Sequence, residues 1–260
     1  MIGPLLMSIS RGRWEIDSFR FCGHSAKAGI QHLEGFLDSR LRGSDGWIVF
    51  SSNQLEDATG RVRMDGNPHV TFVCVRNRVR SIFAQFYLED VFRKRGEAAT
   101  VSSAGFVPQV LKDQLAEARI PLPEPLFNAS MSRWTREFLL EKGIRVPEDW
   151  RSKELSPEMV DQADLIITAI GPQKEELCDL YKKAGTKIFS IREMSDKKGY
   201  LLSEDFSALP LDQNYWYYAE EEPKYVSRVL REWEKTLVSA IPNITARLGM
   251  SKNASVTSNK

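Results

Sequence analysis

The sequence predicts an α/β protein: a three-layer, doubly wound domain with a four-stranded parallel sheet, preceded by a poorly structured N-terminal extension. Three observations predict it. Four short apolar runs (His69–Cys74, Ala99–Ser103, Leu165–Ile170 and Lys187–Ile191) read as buried strands. Segments of helical period lie between them, and the spacing suits right-handed crossovers rather than hairpins. The residues before Gly66 show no sustained period of either kind.

Composition narrows the classes further. The chain has 260 residues, with 36 Lys or Arg against 35 Asp or Glu, so its formal net charge is +1. That balance excludes a general polyanion binder held by bulk charge, and no nucleic-acid partner is expected. Hydrophobic residues at 42% and charged residues at 27% suit a globular chain with a sizeable core. Three cysteines, Cys22, Cys74 and Cys178, are too few and too scattered for a disulfide framework or a structural zinc site. No secretory leader or membrane segment is legible, so a reducing, cytoplasmic location with no membrane partner is expected.

Residues 1–65 are read as an extension, either disordered or the product of a start assigned too far upstream. Trp47–Phe50 is the one strand-like run there, and Gly43-Ser44-Asp45-Gly46 is a turn signal. The stretch Ser25–Trp47 (SAKAGIQHLEGFLDSRLRGSDGW) resembles the translation of a common bacterial intergenic repeat. That resemblance implies Met64 as the natural start and residues 1–63 as dispensable.

The domain proper is expected over 66–248, with a disordered tail over 249–260. After the first strand a helix is expected from Ser81 to Arg95, with Ile82, Phe83, Phe86, Tyr87 and Val91 on its apolar face and Gly96 at its end. Pro108–Pro125 is a proline-punctuated connection with some helical character. Trp134–Lys142 is a helix closed by Gly143, and Ser156-Pro157 starts a short one, since serine caps the free amides and proline suits the first turn. Pro172–Ala184 is a helix stopped by Gly185. A loop-rich stretch then leads to a helix over Pro223–Ile241, where Val226, Val229, Leu230, Trp233, Leu237 and Val238 recur at helical spacing.

The chemistry is concentrated in the loop Cys74-Val75-Arg76-Asn77-Arg78-Val79-Arg80-Ser81. A cysteine at the carboxyl end of a parallel strand faces the N-terminus of the following helix, whose amides and dipole hold an anion. The same field favours thiolate over thiol, which makes Cys74 a candidate nucleophile. Arg80 offers a planar fork matching two phosphate oxygens. Residues 61–95 hold eight Arg or Lys against three Asp or Glu, a local excess of +5 in a nearly neutral chain.

FVCVRNRVRS (Phe72–Ser81) resembles the phosphate-binding loop of the low-molecular-weight protein tyrosine phosphatases, V-C-x-G-N-x-C-R-S-P. The later blocks Ser102–Phe106 (SSAGF), Arg151–Leu155 (RSKEL) and Ala163–Ala169 (ADLIITA) fit the same family in order, so the resemblance spans about Pro68 to Ile241. It implies hydrolysis of phosphotyrosine or small aryl phosphates through a phosphocysteine on Cys74, with no cofactor and no metal. Arg80 and the loop amides of Val75, Arg76, Asn77, Arg78 and Val79 would hold the phosphoryl oxygens. Ser81 would hydrogen-bond the sulfur, Asn77 would brace the tight loop, and Trp216 would line the slot for the ring. The partner implied is a phosphotyrosine protein or a small phosphomonoester.

The departures from that pattern are specific. Arg76 stands where the family has glycine, and a left-handed backbone there would make its Cβ cost about 1–2 kcal/mol. Val79 replaces the second cysteine, Ile82 the proline and Gln85 a usual glutamate. The aspartate-proline pair that supplies the family's general acid is absent; Asp212 is the nearest equivalent and Asp205 the fallback. Two alternatives therefore stand beside the phosphatase: a non-catalytic phosphate-binding regulatory module, and an arsenate reductase. The latter is disfavoured, because after Cys74 only Cys178 is present to continue a thiol relay.

Overall fold

The computed structural model describes residues 5–10, 13–16, 48–50, 66–195 and 209–250. The chain divides into two compact units, Met1–Gly66 and Asn67–Lys260. In the first, strands β1 (Leu5–Ser10), β2 (Arg13–Ile16) and β3 (Ile48–Phe50) form an antiparallel sheet in the order β2-β1-β3. The repeat-like segment ending at Trp47, and the expected tail beyond Met250, lie outside the described residues.

The second unit is built on β4 (His69–Cys74), β5 (Thr100–Gly105), β6 (Leu165–Thr168) and β7 (Ile188–Ser190). All three pairings are parallel and the order is β5-β4-β6-β7. The predicted α/β class and four-stranded parallel sheet are what the structure shows. The order reverses at β4, whose neighbours β5 and β6 leave from opposite sides. A crevice therefore opens outside its carboxyl end, where ligands of such sheets bind.

Alternation along the strands explains the two buried faces. Val70, Phe72 and Cys74 of β4 join Leu165 and Ile167 of β6 in one cluster, while Val73 and Ile166 join the cluster on the other side. The first cluster is covered by helix α1 (Arg80–Arg95), through Ile82, Phe83, Leu88 and Phe92, and by the last helix. Between β5 and β6 lie α2 (Gln109–Glu117), α3 (Arg133–Glu141) and α4 (Pro157–Gln162). Ser156 caps α4 as expected, its Oγ accepting from the Met159 amide at 3.3 Å.

Helix α5 (Gly171–Leu180) is shorter than the sequence suggested. It passes into a 3₁₀ turn over Lys182–Lys187 that runs through Gly185 rather than stopping at it. The stretch read as loop contains two short helices, α6 (Ile191–Ser195) and α7 (Tyr215–Glu220). The last helix, α8 (Pro223–Arg247), continues through Pro242, beyond the expected end at Ile241. Pro242 removes one amide donor, but Ile241 and Ile244 on either side are buried in the main cluster, and that packing holds the extra turns in place. Val238 was also misplaced: it is 49% exposed, whereas Leu230 and Leu237 are 0% exposed. No helix among the described residues is long and apolar enough to cross a membrane.

These burials predict a contrast on one helix. Leu230→Ala should lower stability by about 2–5 kcal/mol, because both transfer energy and a cavity are involved. Val238→Ala should stay within about 0.5 kcal/mol of the parent protein. Urea denaturation of the two variants reads the difference.

Candidate active site

Strand β4 delivers Cys74 to the sheet edge, and the chain must turn at once into α1. The turn is made at Asn77, whose φ of 56° is left-handed. Asparagine tolerates that region better than most residues. Arg76 is not among the positive-φ residues, so the strain envisaged there does not arise. Val79 precedes α1 without a side-chain cap, and the first turn of the helix carries no acidic residue. A helix N-terminus with neither a side-chain cap nor a carboxylate in its first turn is suited to an anion.

Beneath the loop lies a buried polar ladder. Ser81 Oγ donates to Cys74 Sγ at 2.9 Å. Asn77 Nδ2 donates to Ser81 Oγ at 2.9 Å and to Ser103 Oγ at 2.8 Å, while its Oδ1 accepts from the Lys153 amide at 3.2 Å. Ser103 Oγ in turn donates to Gln85 Oε1 at 2.7 Å, so the residue standing at the expected glutamate closes the ladder. Asn77, Ser81 and Ser103 are each 0% exposed, so each of these bonds answers a group that would otherwise be buried unpaired.

The neighbouring strand ends against the loop. The Phe106 amide donates to the Cys74 carbonyl at 2.8 Å, and Gly105 exchanges bonds with the Lys153–Leu155 segment at 2.8 Å each. The resemblance blocks SSAGF and RSKEL therefore meet here as the floor of the loop. A Cβ on Gly105 would lie 2.4 Å from Phe127 Cε1, 3.0 Å from the Val75 carbonyl oxygen and 3.1 Å from the Arg76 carbonyl carbon. Glycine is needed for that close approach.

A pocket opens above the loop. Cys74, Val75, Arg76, Arg78, Val79 and Arg80 line one side of it. Leu209, Tyr215, Trp216, Ala219 and Glu220, from α7 and the segment before it, line another. Asn77 and Ser81 are buried below rather than lining it. Burial pushes the Tyr215 phenol well above its ordinary value, with Arg80 pulling the other way, so this phenol stays neutral. Trp216 is anchored by its Nε1, which donates to the Pro121 carbonyl at 3.0 Å.

Asp212 sits apart from the pocket lining. It is exposed at the start of α7, its Oδ1 accepting from the Asn214 amide at 2.7 Å. Asp205 lies outside the described residues. Among the described residues no cluster of His, Cys, Asp and Glu is placed to hold a metal ion.

Arg76 and Arg78 are neither solvated nor pointed at open space. Both donate to Glu220 Oε2, Arg76 at 2.5 Å, and Arg78 also donates to Glu221 Oε1 at 2.6 Å. Burial pulls the Arg76 guanidinium below its ordinary value, Glu220 opposing the shift and Arg78 adding to it. Burial likewise pushes the Glu220 carboxyl up, against the pull of the two arginines. Glu220, Ser103 and the Lys153 backbone were not picked out from sequence. The one signal in the sequence was the run Glu220-Glu221-Glu222 just before the Pro223 helix, a source of partners for a basic loop.

Two substitutions separate close packing from backbone strain. Gly105→Ala should cost about 1–3 kcal/mol through overpacking and should weaken vanadate binding, because the atoms it strikes belong to the loop. Gly143→Ala has nothing within 4 Å but a φ of 76°. It should cost about 1–2 kcal/mol and leave vanadate binding unchanged. Denaturant titration and calorimetric vanadate titration read the two effects.

No family model and no curated protein matches the chain. Solved structures do. A YwlE mutant from Bacillus subtilis is similar at 19% identity over 69% of this chain and 99% of its own, with a TM-score of 0.50. YfkJ from Bacillus subtilis matches at 19% identity over 69% of this chain and 96% of its own, also at 0.50. A low-molecular-weight protein tyrosine phosphatase from Bacillus subtilis, solved in solution, matches at 19% identity over 68% and 97%, with a TM-score of 0.49. The parallel sheet, the loop after its central strand and the helices around it are together the fold of the low-molecular-weight protein tyrosine phosphatases.

Proposed function

We propose that this protein is a cysteine-dependent phosphatase acting on phosphotyrosine or small aryl phosphates. The observation that carries the proposal is the Ser81 Oγ to Cys74 Sγ hydrogen bond of 2.9 Å, made inside a loop that ends at an uncapped helix N-terminus. A sulfur that accepts a hydroxyl proton at the mouth of a helix N-terminus is placed as a nucleophile next to an anion site.

The Cys74 thiolate attacks phosphorus in line with the phenolic oxygen; the S–P bond forms as the P–O bond to the phenol breaks. The amides from Val75 to Arg80 and the Arg80 guanidinium hold the three equatorial oxygens through both steps. An acid hands its proton to the departing phenolate, then takes one from the water that attacks the phosphocysteine. That second step releases inorganic phosphate and restores the thiolate. Asp212 is proposed as the acid, because it opens the helix that supplies Tyr215 and Trp216 to the pocket wall. The reaction asks for no metal or organic cofactor. The activity is assigned to residues 66–248 and to a reducing compartment, where Cys74 stays reduced.

Asp212 also favours a second reading. Its carboxylate is exposed and outside the pocket lining, which suits a module that binds phosphate without hydrolysing it.

Two measurements decide between them. The parent protein should hydrolyse an aryl phosphate and lose that activity in Cys74→Ser, with vanadate protecting Cys74 from alkylation. Vanadate protection without turnover would establish the binding module instead. Asp212→Asn should slow esters of weakly acidic phenols by about 10²–10⁴-fold and slow those of acidic phenols far less. Equal slowing of both would remove Asp212 from the acid's role.

A further inference from the structure

Arg76 and Arg78 flank the left-handed Asn77 and converge on one oxygen, Glu220 Oε2, with Arg76 at 2.5 Å. Their other nitrogens are also committed. Arg76 Nε donates to the Leu126 carbonyl at 3.2 Å and its Nη2 to the Pro125 carbonyl at 3.4 Å. Arg78 Nε donates to the Ser130 carbonyl at 2.7 Å and its Nη2 to Glu221 Oε1 at 2.6 Å.

The junction that carries Glu220 is tied from the other side as well. Its carbonyl accepts from Ser132 Oγ at 2.5 Å, and the Glu221 carbonyl accepts from Trp134 Nε1 at 2.7 Å. The Ser132 amide also donates to the Arg78 carbonyl at 3.2 Å. The anion loop, the start of α3 and the α7–α8 junction thus meet around a carboxylate that is 5% exposed.

We propose that Glu220 is a positioning residue for the reaction: through Arg76 and Arg78 it clamps the anion loop to the α7 wall of the pocket. The kinetic form of this rests on the phosphatase reading. The clamp has two consequences. It fixes Trp216, which Arg76 overlies at 5.2 Å, relative to Cys74, so the leaving group meets a wall of set position. Together with Glu221 it also offsets the charge of two guanidiniums beside the site. The phosphoryl group is then centred by the loop amides and Arg80 and is not drawn off line by neighbouring charge.

A double-mutant cycle of Glu220→Gln and Arg78→Gln tests the clamp, with active sites counted by vanadate-protected alkylation of Cys74. Each single variant should lower kcat per site by at least about tenfold while KM for an aryl phosphate moves less than about threefold. The double variant should be no worse than the poorer single one, because both break the same link. Multiplicative losses, or parental kcat in Glu220→Gln, would overturn the proposal.

The same cycle is read independently of turnover as the vanadate concentration that half-protects Cys74. That concentration should rise in each single variant, and no further in the double. If the parent protein is protected but turns over nothing, the phosphatase reading fails, and additive or absent shifts in protection alone would overturn the clamp. If Glu220→Gln gives no thermal transition, Glu220→Asp keeps the charge and shortens the reach. It should fold and show reduced kcat or weakened protection; parental values there would overturn the clamp.

Discussion

The left-handed turn at Asn77 is the constraint on which the site depends. A strand that ends in the core and a helix that begins within a few residues leave several backbone amides pointing one way, with little space to satisfy the polar groups beneath them. Asn77 resolves this by accepting the Lys153 amide and donating to both Ser81 and Ser103. One fully buried side chain therefore links β4, β5, α1 and the segment before α4. Removing either its acceptor or its donors would leave buried partners unpaired, at about 1–3 kcal/mol for each group. The same bonds orient Ser81 towards Cys74, so loop stability and the geometry at the Cys74 sulfur come from one residue.

The position of the site follows from topology. Cys74 ends the strand at which the chain order reverses, and the crevice there exists before any side chain is specified. Side chains then set the chemistry: Gly105 allows the second strand to approach the loop, and Ser103 and Gln85 extend the polar ladder away from solvent. On its far side the pocket is closed by α7, whose Tyr215 stays neutral and whose Trp216 is tied to Pro121. The charge on this side is the Glu220 carboxylate, which is paired with Arg76 and Arg78 of the loop.

Much of this was legible in the sequence because it is local. The β4 run His69–Cys74, the helix start after Val79, the Ser156 cap and the asparagine turn each have a signature a few residues long. What was not legible depends on long-range partners. Pro242 reads as a helix stop until the packing of Ile241 and Ile244 is known, and Val238 shares the helical spacing of its neighbours while facing water. Helix α7 is a single turn and a half of aromatic residues. A segment that short has no period to detect, and its backbone is held by burial of Tyr215 rather than by propensity. Arg76 is the sharpest case. The glycine that the resembled family has at its position suggested backbone strain, whereas its energetic partner is Glu220, 144 residues away.

That separation bears on how a basic loop can remain selective. Three arginines within five residues would make a strong but unspecific anion trap if all were hydrated and mobile. Pairing two of them with Glu220 and Glu221 brings local charge closer to balance and ties the loop to the α7–α8 junction. Buried ion pairs of this kind add little net stability over an apolar substitute, because desolvation offsets the attraction. Their loss is expensive all the same, about 3–5 kcal/mol when one partner is removed, since the other stays buried and uncompensated. A link that is neutral to keep and costly to break favours a single arrangement of loop and wall over many. Anion recognition by fixed amides needs that single arrangement, because a preorganised cradle stabilises developing charge without reorganising as the reaction proceeds.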